Sequence, residues 1–168
     1  MKSDNENQHS KKNAGLAGKY NETSHERALK LLLENYGIVG KITRFETEKD
    51  ETFRVACDND NCFVFKIANP DECFAELDFQ NAILNHIKKR DPMIPVPRIV
   101  STKEGDDLVK TIDIDGQSRY IRVYTFIKGQ PLDTVESNAT QRAQIGEMLG
   151  RLRLSMSGFS HPAENRYY

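Results

Sequence analysis

Lys66 is the residue of this 168-residue chain whose surroundings most clearly call for chemistry. It stands in Cys62-Phe63-Val64-Phe65-Lys66-Ile67, where strand alternation puts Phe63, Phe65 and Ile67 on one face and Val64 and Lys66 on the other. An ammonium half-buried in an apolar strand is costly unless an anion neutralises it. Beyond the Asn69-Pro70-Asp71 turn, a helical stretch presents Glu76 and Gln80 one turn apart on a single face. Strand lysine, helix glutamate and an open polar face together give a phosphate site as the functional reading. A lysine snorkelling from an edge strand is the structural alternative.

The elements that must position this group follow from periodicity. Residues 1–22 are rich in Lys, Asn, Ser, Glu and Gln and have little to bury, which predicts a disordered tail. Thr23 and Glu26 have capping-box spacing; Leu29, Leu32, Leu33 and Tyr36 continue a helix that Gly37 ends. The period then switches to two, predicting strands over 39–45 and 52–57 and a turn at 58–61 into the lysine strand. A helix over 71–89 carries Leu77, Ile83, Leu84 and Ile87, closes on the cations Lys88, Lys89 and Arg90, and stops at Asp91-Pro92. Strands are expected over 98–102, 108–112 and 118–126, separated by glycine-bearing turns. A last helix starts at Asn138, with Gln141 at cap spacing, and runs along the stripe Ile145, Met148, Leu149, Leu152 and Met156 to Gly158. His86, between helix lysines and without a second ligand at metal-binding spacing, reads as a surface residue.

Composition bounds the rest. The 24 basic and 25 acidic residues give a net charge of −1, which argues against a dedicated nucleic-acid or membrane-surface binder. There is no long apolar run for a membrane span and no apolar leader at the N-terminus, so a cytoplasmic protein is expected. Cys57, Cys62 and Cys73 are odd in number and form no C-x-x-C pair, which fits reduced thiols.

Phe-Val-Phe-Lys-Ile-Ala-Asn (63–69) followed by Leu-Asp-Phe-Gln-Asn-Ala-Ile-Leu (77–84) resembles the N-terminal lobe of the aminoglycoside phosphotransferase and choline kinase-like superfamily of small-molecule kinases. Within it the likeness is strongest to hydroxylysine kinase and to the phosphotransferase module fused to class III aminotransferases. Lys49-Asp50-Glu51-Thr52-Phe53 is similar to the family's Arg-Asp-Gln-Asn-Phe, with Glu51 in place of Gln and Thr52 in place of Asn. The segment 120–132 resembles the family's last strand and interlobe hinge, and 158–166 its passage into the C-terminal lobe. The resemblance implies that Lys66 holds the α- and β-phosphates of ATP or GTP bound with Mg2+, and that Glu76 or Gln80 orients it. It further implies that Asp50 lies in the nucleotide loop, that Val55 and Val64 pack the adenine, and that the backbone of Thr125, Phe126 and Ile127 meets the adenine edge. Glu51, placed over the triphosphate, would weaken binding by repulsion.

The family's His-Gly-Asp-x-x-x-x-Asn loop and its later metal-binding aspartate do not occur in these 168 residues. The expectation is an α+β, protein-kinase-like N-terminal lobe: a five- or six-stranded antiparallel sheet with one packed helix, a leading helix and a trailing helix. By residue, 1–22 would be tail, 23–130 the lobe and 131–168 a linker helix leading to an absent C-terminal lobe. The implied activity is ATP-dependent phosphoryl transfer to a hydroxyl of a small amino or amino-acid-like compound, with this chain alone inactive. A non-catalytic binding or regulatory module derived from the same lobe is the competing reading. A nucleotide is the expected partner, joined by an acceptor only where a C-terminal lobe is supplied, and the uncovered stripe of the last helix implies self-association.

Overall fold

The computed structural model describes residues 20–58 and 61–164. Most of the expected tail, the centre of the 58–61 turn and residues 165–168 lie outside the described residues. Among the described residues three α-helices and six strands follow one another as α1 (His25–Tyr36), β1 (Lys41–Phe45), β2 (Glu51–Ala56), β3 (Cys62–Ile67), α2 (Phe74–Arg90), β4 (Ile99–Val100), β5 (Val109–Ile112), β6 (Ser118–Thr125) and α3 (Ala139–Ser155), with one 3-10 turn at Leu132–Thr134 before α3. The α+β lobe expected from the sequence is the fold observed.

The strands form one antiparallel sheet in the order β1-β2-β3-β6-β4, and β5 pairs with the first half of β6 while β4 pairs with its second half. Register decides which side chains share a face. Lys66 opposes Thr52 on β2 and Arg122 on β6, whereas Val55 opposes Phe63 and Phe53 opposes Phe65. One face therefore collects Phe53, Val55, Phe65, Ile67, Ile121 and Val123, and α1 covers it with Ala28, Leu31, Leu32 and Tyr36. This is the main apolar core. The other face carries Thr52, Arg54, Val64, Lys66, Arg122 and Tyr124 and meets α2, whose Gln80 and Asn81 bond to Arg122 and Tyr124.

Helix ends follow their capping chemistry. Ser24, not Thr23, caps α1 by accepting from the Arg27 N–H, because the Thr23 hydroxyl and N–H are both spent on Glu51. Gly37 ends α1 at φ 66°, with its N–H on Leu33 and that of Ile38 on Leu32, a left-handed stop that a side chain would strain. The Asn138–Gln141 capping box of α3 is present in both directions. Residues 20–22, assigned by composition to the tail, are seated on the domain: Tyr20 lies 4.3 Å below the Arg119 guanidinium and Asn21 bonds Asp115.

Candidate functional site

Lys66 sits in the middle of a polar row that crosses three strands, with Thr52 on one side and Arg122 on the other. Its ammonium lies 2.9 Å from Oδ2 of Asp50, at the entrance to β2, and its side chain keeps 29% of its exposure. Arg122, only 2% exposed, donates to the same oxygen at 3.3 Å. The second oxygen of Asp50 accepts the Asn69 N–H at 3.2 Å, so the turn that follows β3 fixes the carboxylate. Burial works to raise the Asp50 carboxyl. The charge and hydrogen bond of Lys66, the Asn69 amide and the charge of Arg122 outweigh it and hold the group below the ordinary carboxylate value.

The partner of Lys66 thus comes from the loop before β2 and not from α2. Gln80 accepts nothing from the lysine; its Oε1 accepts from Arg122 at 2.7 Å. Glu76 is exposed, with no hydrogen bond or ion pair among the described residues. The structure pairs Lys66 with Asp50, and neither Glu76 nor Gln80, the two residues expected beside it, touches the lysine. Physically, the helix face that meets the sheet is spent on Arg122 and Tyr124, and the turn at Asn69 holds Asp50 against the lysine.

Register corrects two further expectations. Val55 is wholly buried in the core under α1, on the opposite side of the sheet from Val64 and Lys66, so it does not line a surface that Lys66 faces. The residue of β2 that shares the Val64 row is Arg54, whose guanidinium lies 5.2 Å over the Phe126 ring. Glu51 also points into the core side, where Arg44, Arg119 and Thr23 bond it. It adds no charge over the lysine face. Both departures come from the two-residue period, which sends Glu51, Phe53 and Val55 one way and Thr52 and Arg54 the other.

At the end of β6 the backbone is partly committed. The Thr125 N–H donates to the Arg98 carbonyl at 2.8 Å and the Phe126 N–H to the Cys62 carbonyl at 3.0 Å. Of the three residues expected at the hinge, Ile127 is the one whose N–H makes no bond among the described residues.

Arg122 was legible as a signal: like Lys66, it is a cation set within an apolar stretch, Tyr-Ile-Arg-Val-Tyr. Its target was not. Cys57 and Cys62 are neighbours in register terms but fall on opposite faces, since Cys62 pairs with Ala56 and Cys57 packs against the core. His86 is not a free surface residue: its ring meets Phe159 at 5.3 Å and its Nε2 approaches the Ser157 carbonyl. His161 both caps and packs, accepting the Ala163 N–H and reaching Asp78 of α2 at 3.2 Å. Among the described residues no group of three or more His, Cys, Asp and Glu side chains could hold a metal ion, and no helix is long and apolar enough to cross a membrane.

Comparison with solved structures finds the same fold in two kinases. The amicoumacin kinase hAmiN, in complex with AMP-PNP, Ca2+ and Ami, superposes with a TM-score of 0.69 at 14% identity over 83% of this chain and 42% of that one. A microcompartment-associated aminopropanol kinase gives 0.62 at 15% identity over 83% and 43%. The chain spans less than half the length of either. A search of curated proteins finds no match. Residues 41–166, three quarters of the chain, match the family described as the phosphotransferase enzyme family, APH. The chain belongs to that phosphotransferase family.

Proposed function

We propose that this chain is the nucleotide-binding lobe of an ATP-dependent kinase that phosphorylates a hydroxyl of a small amino or amino-acid-like compound, hydroxylysine-like or aminoglycoside-like. The observation that carries it is the partly exposed Lys66 ammonium, held by the Asp50 carboxylate on a sheet face that also presents Val64. Lys66 is assigned the α- and β-phosphates, and Asp50 orients it. Val64 packs the base, and the backbone of 125–127, through Ile127 N–H, meets its edge. ATP or GTP with Mg2+ would supply the phosphoryl group; the residues on the lysine face fit its anionic part, since Thr52 Oγ1 and Arg122 Nε are buried there with no partner among the described residues. None of the 168 residues forms a His-Gly-Asp loop, and this chain by itself is assigned no turnover.

The test is an NMR titration with ATP. Weak binding on the order of millimolar, about 4 kcal/mol, is expected. Shifts should fall on Val64, Lys66 and 125–127 and fade in Lys66→Met. Shifts confined to the N-terminal segment, or unchanged in Lys66→Met, would remove the phosphate role of the lysine. Phosphotransfer by the purified chain above a Lys66→Ala control would overturn the inactivity.

A further inference from the structure

Lys66 and Arg122 oppose each other directly across β3 and β6, yet only one carboxylate serves both. Like charges directly opposite on a sheet face repel, and a single carboxylate cancels one of the two. The row Thr52–Lys66–Arg122 therefore keeps one surplus positive charge. That charge is unevenly presented: the arginine is buried, while the lysine end is open to an incoming anion.

We propose that Arg122 is a positioning residue that limits how far Asp50 neutralises Lys66, so that phosphate capture by the lysine depends on a buried arginine that α2 holds through Gln80. The proposal rests on the nucleotide-lobe reading above. Three contacts carry it. Both cations share Oδ2 of Asp50, so whatever one gains of that oxygen the other loses. Oδ1 is held by the Asn69 N–H, which prevents the carboxylate from turning to offer each cation its own oxygen. The Arg122 guanidinium is tied at its other end to Gln80 Oε1, 2.7 Å away, so α2 acts on the lysine through a neutral amide and an arginine, where a helix carboxylate would have bound Lys66 itself. Take Arg122 away, and Asp50 belongs wholly to Lys66. The ammonium is then neutralised before any phosphate arrives. With Arg122 in place, an anion competes against a divided counter-charge.

The ratio of ATP affinity to adenosine affinity isolates this effect, because adenosine carries no phosphate. NMR titrations of the full chain, with thermal unfolding as a fold check, compare wild type with Arg122→Met, Arg122→Lys, Gln80→Ala and Lys66→Met. Arg122→Met should lower the ratio about fivefold, Gln80→Ala about twofold, and Arg122→Lys should keep at least about half of it, since its charge is retained. Adenosine affinity should stay within about twofold throughout, a pattern that lost packing would not give. If Arg122→Met does not fold, Gln80→Ala and Arg122→Lys decide: no change in the first, or as large a loss in the second as in Lys66→Met, overturns the proposal. A ratio that collapses in Lys66→Met but is untouched by the Arg122 and Gln80 variants also overturns it and leaves the nucleotide-lobe reading standing. A ratio insensitive to Lys66→Met defeats both.

Discussion

Glu51 and Arg119 lie 68 residues apart in the chain and meet at 2.6 Å with both side chains almost completely withdrawn from solvent. Arg44 and Thr23 complete the carboxylate's shell, and Arg119 also donates to the carbonyls of Ala68 and Ile67. The node ties the start of β2, the end of β3 and the start of β6 to the strap at residues 20–23. Burial works to raise the Glu51 carboxyl, but the Arg44 hydrogen bond, the Arg119 charge and the Thr23 bonds leave it below the ordinary value.

A folded-state value below the unfolded one fixes the sign of the pH dependence. The stability from Glu51 is fully present above the unfolded carboxylate value, about 4.3, and is lost as pH falls from there through the folded value. Glu51→Gln should cost about 3 kcal/mol at neutral pH, by leaving buried arginines uncompensated, and should flatten the acid limb. Urea midpoints between pH 3 and pH 7 check both. Because Glu51 points away from Lys66, ATP shifts at Lys66 and Val64 should persist in the folded variant.

Val55 and Val64 separate packing from binding. Val55→Ala removes wholly buried methyl groups under α1 and should cost about 2 kcal/mol of stability. ATP affinity should hardly move. Val64→Ala should leave the urea midpoint nearly unchanged and weaken ATP about threefold. The opposite assignment of effects would contradict the register.

Phe159 meets Phe79 and His86 edge-on, stacks on His161 and fastens the segment after α3 to α2. Phe159→Ala should cost about 1 kcal/mol. Amide exchange should accelerate at Ala163 and Glu164, whose N–H groups bond within the His161 turn, and not in β3 or β6. Uniform acceleration across the sheet would mean the segment is no separate clip.

Along one face, α3 and its C-cap expose Leu149 at 61%, with Ile145 and Met156 more than a third exposed. An apolar strip of this kind favours concentration-dependent association. Sedimentation at high micromolar concentration should show it, and Leu149→Glu should remove it. A wild-type chain that stays monomeric there would refute the expectation.

Much of the fold was legible because it rests on local rules. The lysine strand, the helix after Asn69, the cap at Asn138 and the stop at Gly37 all follow from alternation, helical period and capping, which need only neighbours in sequence. Lys66 stood out by the same local logic, as a cation in an apolar strand. What the sequence left open was everything set by register and by contacts between distant segments. Which face Val55 and Glu51 take depends on how β2 pairs with β3, and one residue of slip would exchange the two faces. That Asp50 and not Glu76 or Gln80 meets Lys66 depends on a turn at Asn69 closing onto a loop 19 residues earlier, and on Arg122 arriving 72 residues after Asp50 to share its carboxylate. Long-range charge pairing carries no periodic mark in the chain, so only the packed sheet, by bringing the side chains within a few ångströms, could choose among the carboxylates.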